Sequence, residues 1–129
     1  MSDEPARILM AKTSLDGHWR GITIVERALR EAHFEVITLG MATPDEIVRA
    51  AVDEQVDIVG LNLGGRSAVV ERIVAQLRSQ GCDAAVMVGG VITPKTKKAL
   101  ESAGIAVFPP GSSLEDIVAT ARRLCEQEI

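Results

Sequence analysis

RILMAKTSLDGHWRGITIVERALREA, residues Arg7 to Ala32, is the stretch on which the fold turns. Arg7 to Lys12 carries a near-continuous apolar run, the pattern of a strand buried on both faces. Arg20 to Ala32 switches to helical spacing, with Ile22, Val25, Ala28 and Leu29 on one face. The connecting loop, Thr13 to Trp19, holds Asp16, Gly17 and His18, and Gly21 follows. A strand, a polar Gly-containing loop and an amphipathic helix make the first half of a βαβ unit. In open α/β sheets ligands bind at the carboxyl ends of strands, which is where this loop lies. A carboxylate two residues before an imidazole is the pairing that orients a metal-ligating histidine, so His18 is the candidate metal ligand and Asp16 its support.

The same alternation continues outward. His33 ends the first helix, caps it or complements its dipole, and is expected to have no functional role. Phe34 to Leu39 reads as the second strand. Thr43-Pro44-Asp45-Glu46 opens the second helix: a Thr cap, Pro at the first position and Glu three residues after the cap. Asp57 to Leu61 is the third strand, and Asn62-Leu63-Gly64-Gly65-Arg66-Ser67 leads into the third helix. Ala84 to Val88 is the fourth strand, ending at Gly89-Gly90. Thr93-Pro94 starts the fourth helix. Ile105 to Phe108 is a short fifth strand, followed by the turn Pro109-Pro110-Gly111-Ser112. Ser113 to Asp116 is an S-x-x-D start for the last helix. Five strands alternating with five helices predict a doubly wound parallel sheet of α/β class, in the flavodoxin-like order 2-1-3-4-5. The Asp16–His18 and Asn62–Gly65 loops would then face one crevice at the switch point.

Bulk composition agrees and excludes several function classes. A length of 129 residues predicts one domain, 1–129. Aromatics make up only 2% of the chain, so the core must be aliphatic. A net charge of −4 argues against a nucleic-acid partner. Cys82 and Cys125 form no C-x-x-C and read as two thiols in a reducing compartment. No signal-peptide pattern and no apolar run of membrane length occur, so no membrane partner is expected and the location expected is cytoplasmic.

The strand ends separate the tenants of this fold, since fold alone decides nothing. A phosphorelay receiver needs carboxylates after strand 1, an Asp after strand 3 and a Lys after strand 5; here those places hold Lys12, Asn62 and Phe108. A dinucleotide-binding G-x-G-x-x-G is absent. Instead glycines occupy three strand ends, Gly17 and Gly21, Gly64 and Gly65, Gly89 and Gly90. Glycine lets backbone approach a ligand closely, so a trough beside the sheet is expected.

DGHWRG (Asp16 to Gly21) fits D-x-H-x-x-G, and VGGVITP (Val88 to Pro94) fits a later double-glycine element. Together with Lys12, the TPDE helix start, VDIVGL and the PPGSS turn, they resemble the cobalamin-binding domain of adenosylcobalamin-dependent acyl-CoA mutases, the methylmalonyl-CoA mutase family. The resemblance implies that cobalamin binds with its own dimethylbenzimidazole displaced and His18 on cobalt. Asp16 would accept a hydrogen bond from the other imidazole nitrogen, and Lys12 would pair with Asp16. Gly17, Trp19, Arg20, Gly21 and Val25 would line the lower corrin face and the nucleotide tail. Gly89 and Gly90 would leave room for that tail, with Phe108, Gly111 and Ser112 beside the base and its ribose-phosphate. One departure stands out. The family's third strand usually ends S-x-L, whereas this chain has Asn62-Leu63-Gly64. Asn62 could replace the Ser hydroxyl as donor, or it could only cap the Gly65–Ser67 turn. Gly64 would remove a side chain packed on the base.

The mutases resembled hold their acyl-CoA in a (β/α)₈ barrel of about 250 residues, for which this chain has no room. The resemblance therefore implies the small subunit of a two-subunit isomerase, inactive alone, with a large barrel subunit as partner. The partner would face the crevice rim around Ser14, Leu15, Trp19 and Arg66. The alternative is a free-standing cobalamin carrier or sensor without catalysis of its own.

Overall fold

The computed structural model describes residues 5–13, 22–62, 67–90, 92–109 and 111–126. Its elements are β1 (Arg7–Lys12), α1 (Ile22–Glu31), β2 (Glu35–Met41), α2 (Pro44–Glu54), β3 (Ile58–Asn62), α3 (Ser67–Ser79), β4 (Ala85–Gly89), α4 (Pro94–Ser102), β5 (Ala106–Phe108) and α5 (Leu114–Glu126). The strands are parallel, in the order β2-β1-β3-β4-β5. This is the expected flavodoxin-like topology, with its switch point between β1 and β3.

Alternation along the strands sends successive side chains to opposite faces, and each face has its own helices. Leu9, Ala11, Val59, Leu61, Val86 and Val88 pack with residues of α2, α3 and α4, among them Ile47, Ile73 and Leu100. Ile8, Met10, Ile58, Met87 and Phe108 pack with Val25 and Leu29 of α1 and Ile117 and Ala121 of α5. Glu26, only 5% exposed, accepts a hydrogen bond from the Thr38 hydroxyl. Arg30 donates to the same hydroxyl at 3.2 Å. These contacts tie α1 to β2.

Helix starts follow the sequence signals. The Thr43 N–H donates to Glu46 Oε1 at 2.9 Å and the Glu46 N–H returns to Thr43 Oγ1 at 3.2 Å. Thr93 Oγ1 accepts from the Thr96 N–H, and Ser113 Oγ from the Asp116 N–H. Helix ends share one device that the sequence did not announce, although His33 was expected to cap its helix. After α1, the Phe34 N–H reaches Leu29 O and the His33 N–H reaches Arg30 O, with His33 at φ +75°. Gln55, Gly81 and Gly104 repeat this left-handed Schellman ending after α2, α3 and α4. The apolar residue that follows in each case, Phe34, Val56, Cys82 or Ile105, then packs back on the core.

Phe34 therefore belongs to the helix ending, which corrects the expected start of the second strand. That strand also runs two residues past Leu39, to Met41. Met10 pairs with Thr38 but Ala11 with Gly40, so Leu39 is an inserted bulge residue, and Gly40 takes φ +79°. β3 and β4 each end one residue later than expected, on Asn62 and Gly89. No disulfide joins Cys82 and Cys125, which lie on opposite faces of the sheet. Among the described residues, no helix is long and apolar enough to cross a membrane.

Candidate functional site

Those later endings bring four of the expected site residues into one line. Lys12 pairs with Asn62, Asn62 with Gly89, and Gly89 with Phe108. All four are the last residues of their strands, and all fall on the face covered by α1 and α5. The row crosses the switch point, where a doubly wound sheet offers its crevice. Val25, on α1, is 2% exposed and packs on the same face.

Asn62 is the exceptional member. It is fully buried, and among the described residues neither its Nδ2 nor its Oδ1 has a hydrogen-bond partner. Buried carboxamides almost always find partners, because an orphaned donor or acceptor forfeits its hydration. Its backbone, by contrast, is well used: the Asn62 carbonyl accepts from the Thr13 N–H at 3.2 Å and from Thr13 Oγ1 at 2.6 Å. Thr13 thus straps the exit of β1 onto the end of β3. The Gly65–Ser67 turn that Asn62 was alternatively expected to cap lies largely outside the described residues. A fully buried amide with an unused donor and acceptor, set beside a glycine, fits a site for a polar-edged flat ligand.

Beneath this row lies a second one: Met10, Gly60, Met87 and Ala106 in register. A Cβ on Gly60 would stand 2.5 Å from Met10 Sδ. The thioether therefore lies across the bare backbone of β3 and forms the floor under Asn62. Sequence reasoning passed over Gly60, Met10 and Thr13. A glycine inside an apolar strand was the available signal, since it marks close approach by another group.

Gly90 is at φ +130°, and its N–H points to Phe108 O at 3.4 Å, so the double glycine joins the ends of β4 and β5. Phe108 is a core residue at 9% exposure. Gly111 sits at φ +92°, and both the Ser112 N–H and Oγ bond to Pro109 O. Asp16, Gly17, His18, Trp19, Arg20, Gly21 and Gly64 lie outside the described residues, as do the rim positions Ser14, Leu15 and Arg66. A separate groove of about 380 Å³ between α2 and α3, lined by Asp45, Arg49, Asp53 and Gln76, belongs to the opposite face.

Fold and site together define a doubly wound α/β domain with a buried row of strand-end residues at its switch point, on the α1/α5 side. The family is shown by comparison: residues 6–121 match the B12 binding domain model, and the chain belongs to that family. It is 39% identical over 109 residues to the 2-hydroxyisobutanoyl-CoA mutase small subunit of Aquincola tertiaricarbonis, covering 81% of this chain and 80% of that protein. It is likewise 39% identical over 118 residues to the pivalyl-CoA mutase small subunit of Xanthobacter autotrophicus, covering 88% and 80%. Among solved structures, a cobalamin-binding protein from Desulfitobacterium hafniense superposes with a TM-score of 0.75 at 25% identity, covering 94% of this chain and 59% of that one.

Proposed function

We propose that this chain is the cobalamin-binding small subunit of a two-subunit adenosylcobalamin-dependent acyl-CoA mutase, with His18 as the lower axial ligand of cobalt. The observation that carries the reading is the orphaned carboxamide of Asn62, buried at the center of the strand-end row. An unfilled donor and acceptor there suit the displaced base of a corrinoid tail.

The residues divide the work. His18 must be neutral to ligate, and a hydrogen bond from its other ring nitrogen to Asp16 fixes the tautomer and strengthens the donor. Lys12 stands at the strand end before that loop, and Thr13 anchors the loop's departure point. Gly17, Trp19, Arg20, Gly21 and Val25 would hold the corrin and the start of the tail. Asn62, Gly89, Gly90 and Phe108 would receive the base, together with Gly64, Gly111 and Ser112. When bound, the cofactor supplies the radical chemistry of carbon-skeleton rearrangement; this chain binds, orients and shields it.

A large (β/α)₈-barrel subunit carrying the acyl-CoA would complete the enzyme. The exposed large apolar side chains among the described residues are Ile24, Met41 and Leu114. They sit in the first turns of α1 and α5 and at the end of β2, all at the carboxyl end of the sheet. The support for a docked subunit over a free-standing carrier is the likeness to two mutase small subunits. The two small-subunit relatives act in enzymes named for different acyl groups at equal identity, so acyl specificity is assigned to the partner.

The test is spectroscopic. Protein labeled with ¹⁵N-histidine is loaded with cobalamin and reduced to cobalt(II), and its electron paramagnetic resonance is recorded. Labeling should convert the axial-nitrogen splitting from a triplet to a doublet, and His18→Ala should abolish that conversion. Splitting that ignores the protein label would refute histidine ligation.

A further inference from the structure

Two helices carry charges set against their own dipoles. A helix favors acidic residues in its first turn and basic ones in its last. α4 opens with Pro94 and then Lys95, Lys97 and Lys98, with no acidic residue in its first turn. α2 ends on Asp53 and Glu54, with no basic residue in its last turn. Among the described residues none of these five side chains takes part in an ion pair, and all but Lys97 are exposed. Each placement destabilizes its own helix. Departures from local preference of this kind concentrate at functional surfaces.

Both sets lie on the face of the sheet covered by α2, α3 and α4. α3, which joins β3 to β4, runs between them. Its exposed positions include Ala68, Glu71, Arg72 and Ala75, small residues around one pair of opposite charges. A two-fold axis through α3, normal to the sheet, would turn the first turn of α4 onto the last turn of the mate's α2. Lysines then meet carboxylates, and the positive end of one helix dipole meets the negative end of another. The contact recurs on the other side of the axis, which is the self-complementarity that an isologous dimer needs. The groove of about 380 Å³ between α2 and α3 gives a lysine room, with Val48 and Val52 beside Asp45 and Asp53. Apolar walls suit the lysine stem and carboxylates suit its ammonium. Among the described residues Arg49 is the one cation lining that groove.

We propose that this face pairs with a second copy of the chain, α2 against the mate's α4 on both sides of α3. The pairing is independent of the proposed cobalamin site, which lies on the α1/α5 side. Sedimentation velocity of the full chain tests it. The chain should dimerize at about 0.02 M NaCl, and its dissociation constant should rise at least about tenfold by about 0.5 M, as salt screens surface charge. Lys95→Glu combined with Lys98→Glu should weaken dimerization at least about tenfold, and so should Asp53→Lys combined with Glu54→Lys. Both pairs of changes agree with the helix dipole, so neither threatens the fold. An equimolar mixture of the two variants should associate again, because each supplies the sign that the other lacks. A chain carrying all four substitutions keeps the net charge of −4 and should dimerize as well. A chain that stays monomeric at low salt up to about 1 mM would overturn the proposal and leave this face to a different partner. A dimer indifferent to both pairs of substitutions, or two variants that do not associate when mixed, would overturn it equally.

Discussion

Asn62→Leu puts the central claim to a test that needs no cofactor. Leucine keeps the branched skeleton of asparagine but removes both polar atoms. In the present fold those atoms are buried and unpaired, and each such orphan costs about 1–3 kcal/mol. Against this gain stands the larger volume of the leucine terminus in a site flanked by Gly89 and floored by Met10, where overpacking costs about 1–3 kcal/mol. With two orphans removed and one strain term added, the cofactor-free variant should be more stable by about 2 kcal/mol. With a urea m-value of about 2 kcal/mol/M, the unfolding midpoint should rise by about 1 M. The same variant should bind cobalamin at least about tenfold more weakly, having lost the Nδ2 hydrogen bond to the base. Urea unfolding followed by circular dichroism, paired with a cobalamin titration, measures both. A midpoint that falls would refute the reasoning, because it would mean that the carboxamide is held by partners and stabilizes the unliganded fold.

Three further outcomes are expected. Gly60→Ala should destabilize by about 1–2 kcal/mol through its clash with Met10 Sδ; combining it with Met10→Val should recover about 0.5 kcal/mol or more beyond additivity in a double-mutant cycle. His33→Gly relieves a non-glycine residue at φ +75° and should stabilize by about 0.5 kcal/mol with cobalamin affinity unchanged; a loss of affinity would give His33 a role the site does not assign. The Thr43 N–H, and then its hydroxyl, hold the Glu46 carboxyl below the usual carboxylate range. Its folded pKa is thus below its unfolded one, so its contribution is present above about pH 4.3 and lost as pH falls through the lower folded value. Glu46→Gln should therefore melt below the unmodified chain at pH 7, with the gap narrowing as pH falls below about 4.3, as followed by thermal denaturation.

How far the site was legible depends on which physical rule carried each residue. Strand and helix periodicity located every element, because a parallel sheet buried on both faces needs long aliphatic runs and its helices need one apolar stripe. The boundaries moved where hydrogen bonds outside the pattern decided them. Phe34 looked like a strand residue but closes a Schellman ending, and Met41 was hidden behind a bulge at Leu39 that period-two reading does not anticipate. Lys12, Asn62, Gly89 and Phe108 could each be singled out, but their alignment could not. Lateral register between strand residues about 20 to 50 positions apart is fixed by packing of the whole sheet. Gly60 was visible as a glycine in an apolar strand, yet its purpose depends on the direction of the Met10 thioether, which no spacing encodes.

The two faces of the sheet explain why a binding domain can tolerate an unsatisfied amide in its interior. The α2/α3/α4 face is wholly aliphatic apart from small residues, with seventeen buried side chains among those described. The α1/α5 face contributes nine, and they include both thioethers of the central strands and the one buried phenylalanine. Stability is therefore concentrated on the side away from the ligand. The side toward the ligand is the one that carries the orphaned Asn62, the bare backbone at Gly60 and the glycine pair at β4. On the proposed function, ligand contacts that satisfied Asn62 would raise stability only when the ligand is present, linking binding to the ordering of this face. Exchanging the arrangement, by filling the α1/α5 face with aliphatic side chains, would give a more stable flavodoxin-like domain with no reason to bind anything.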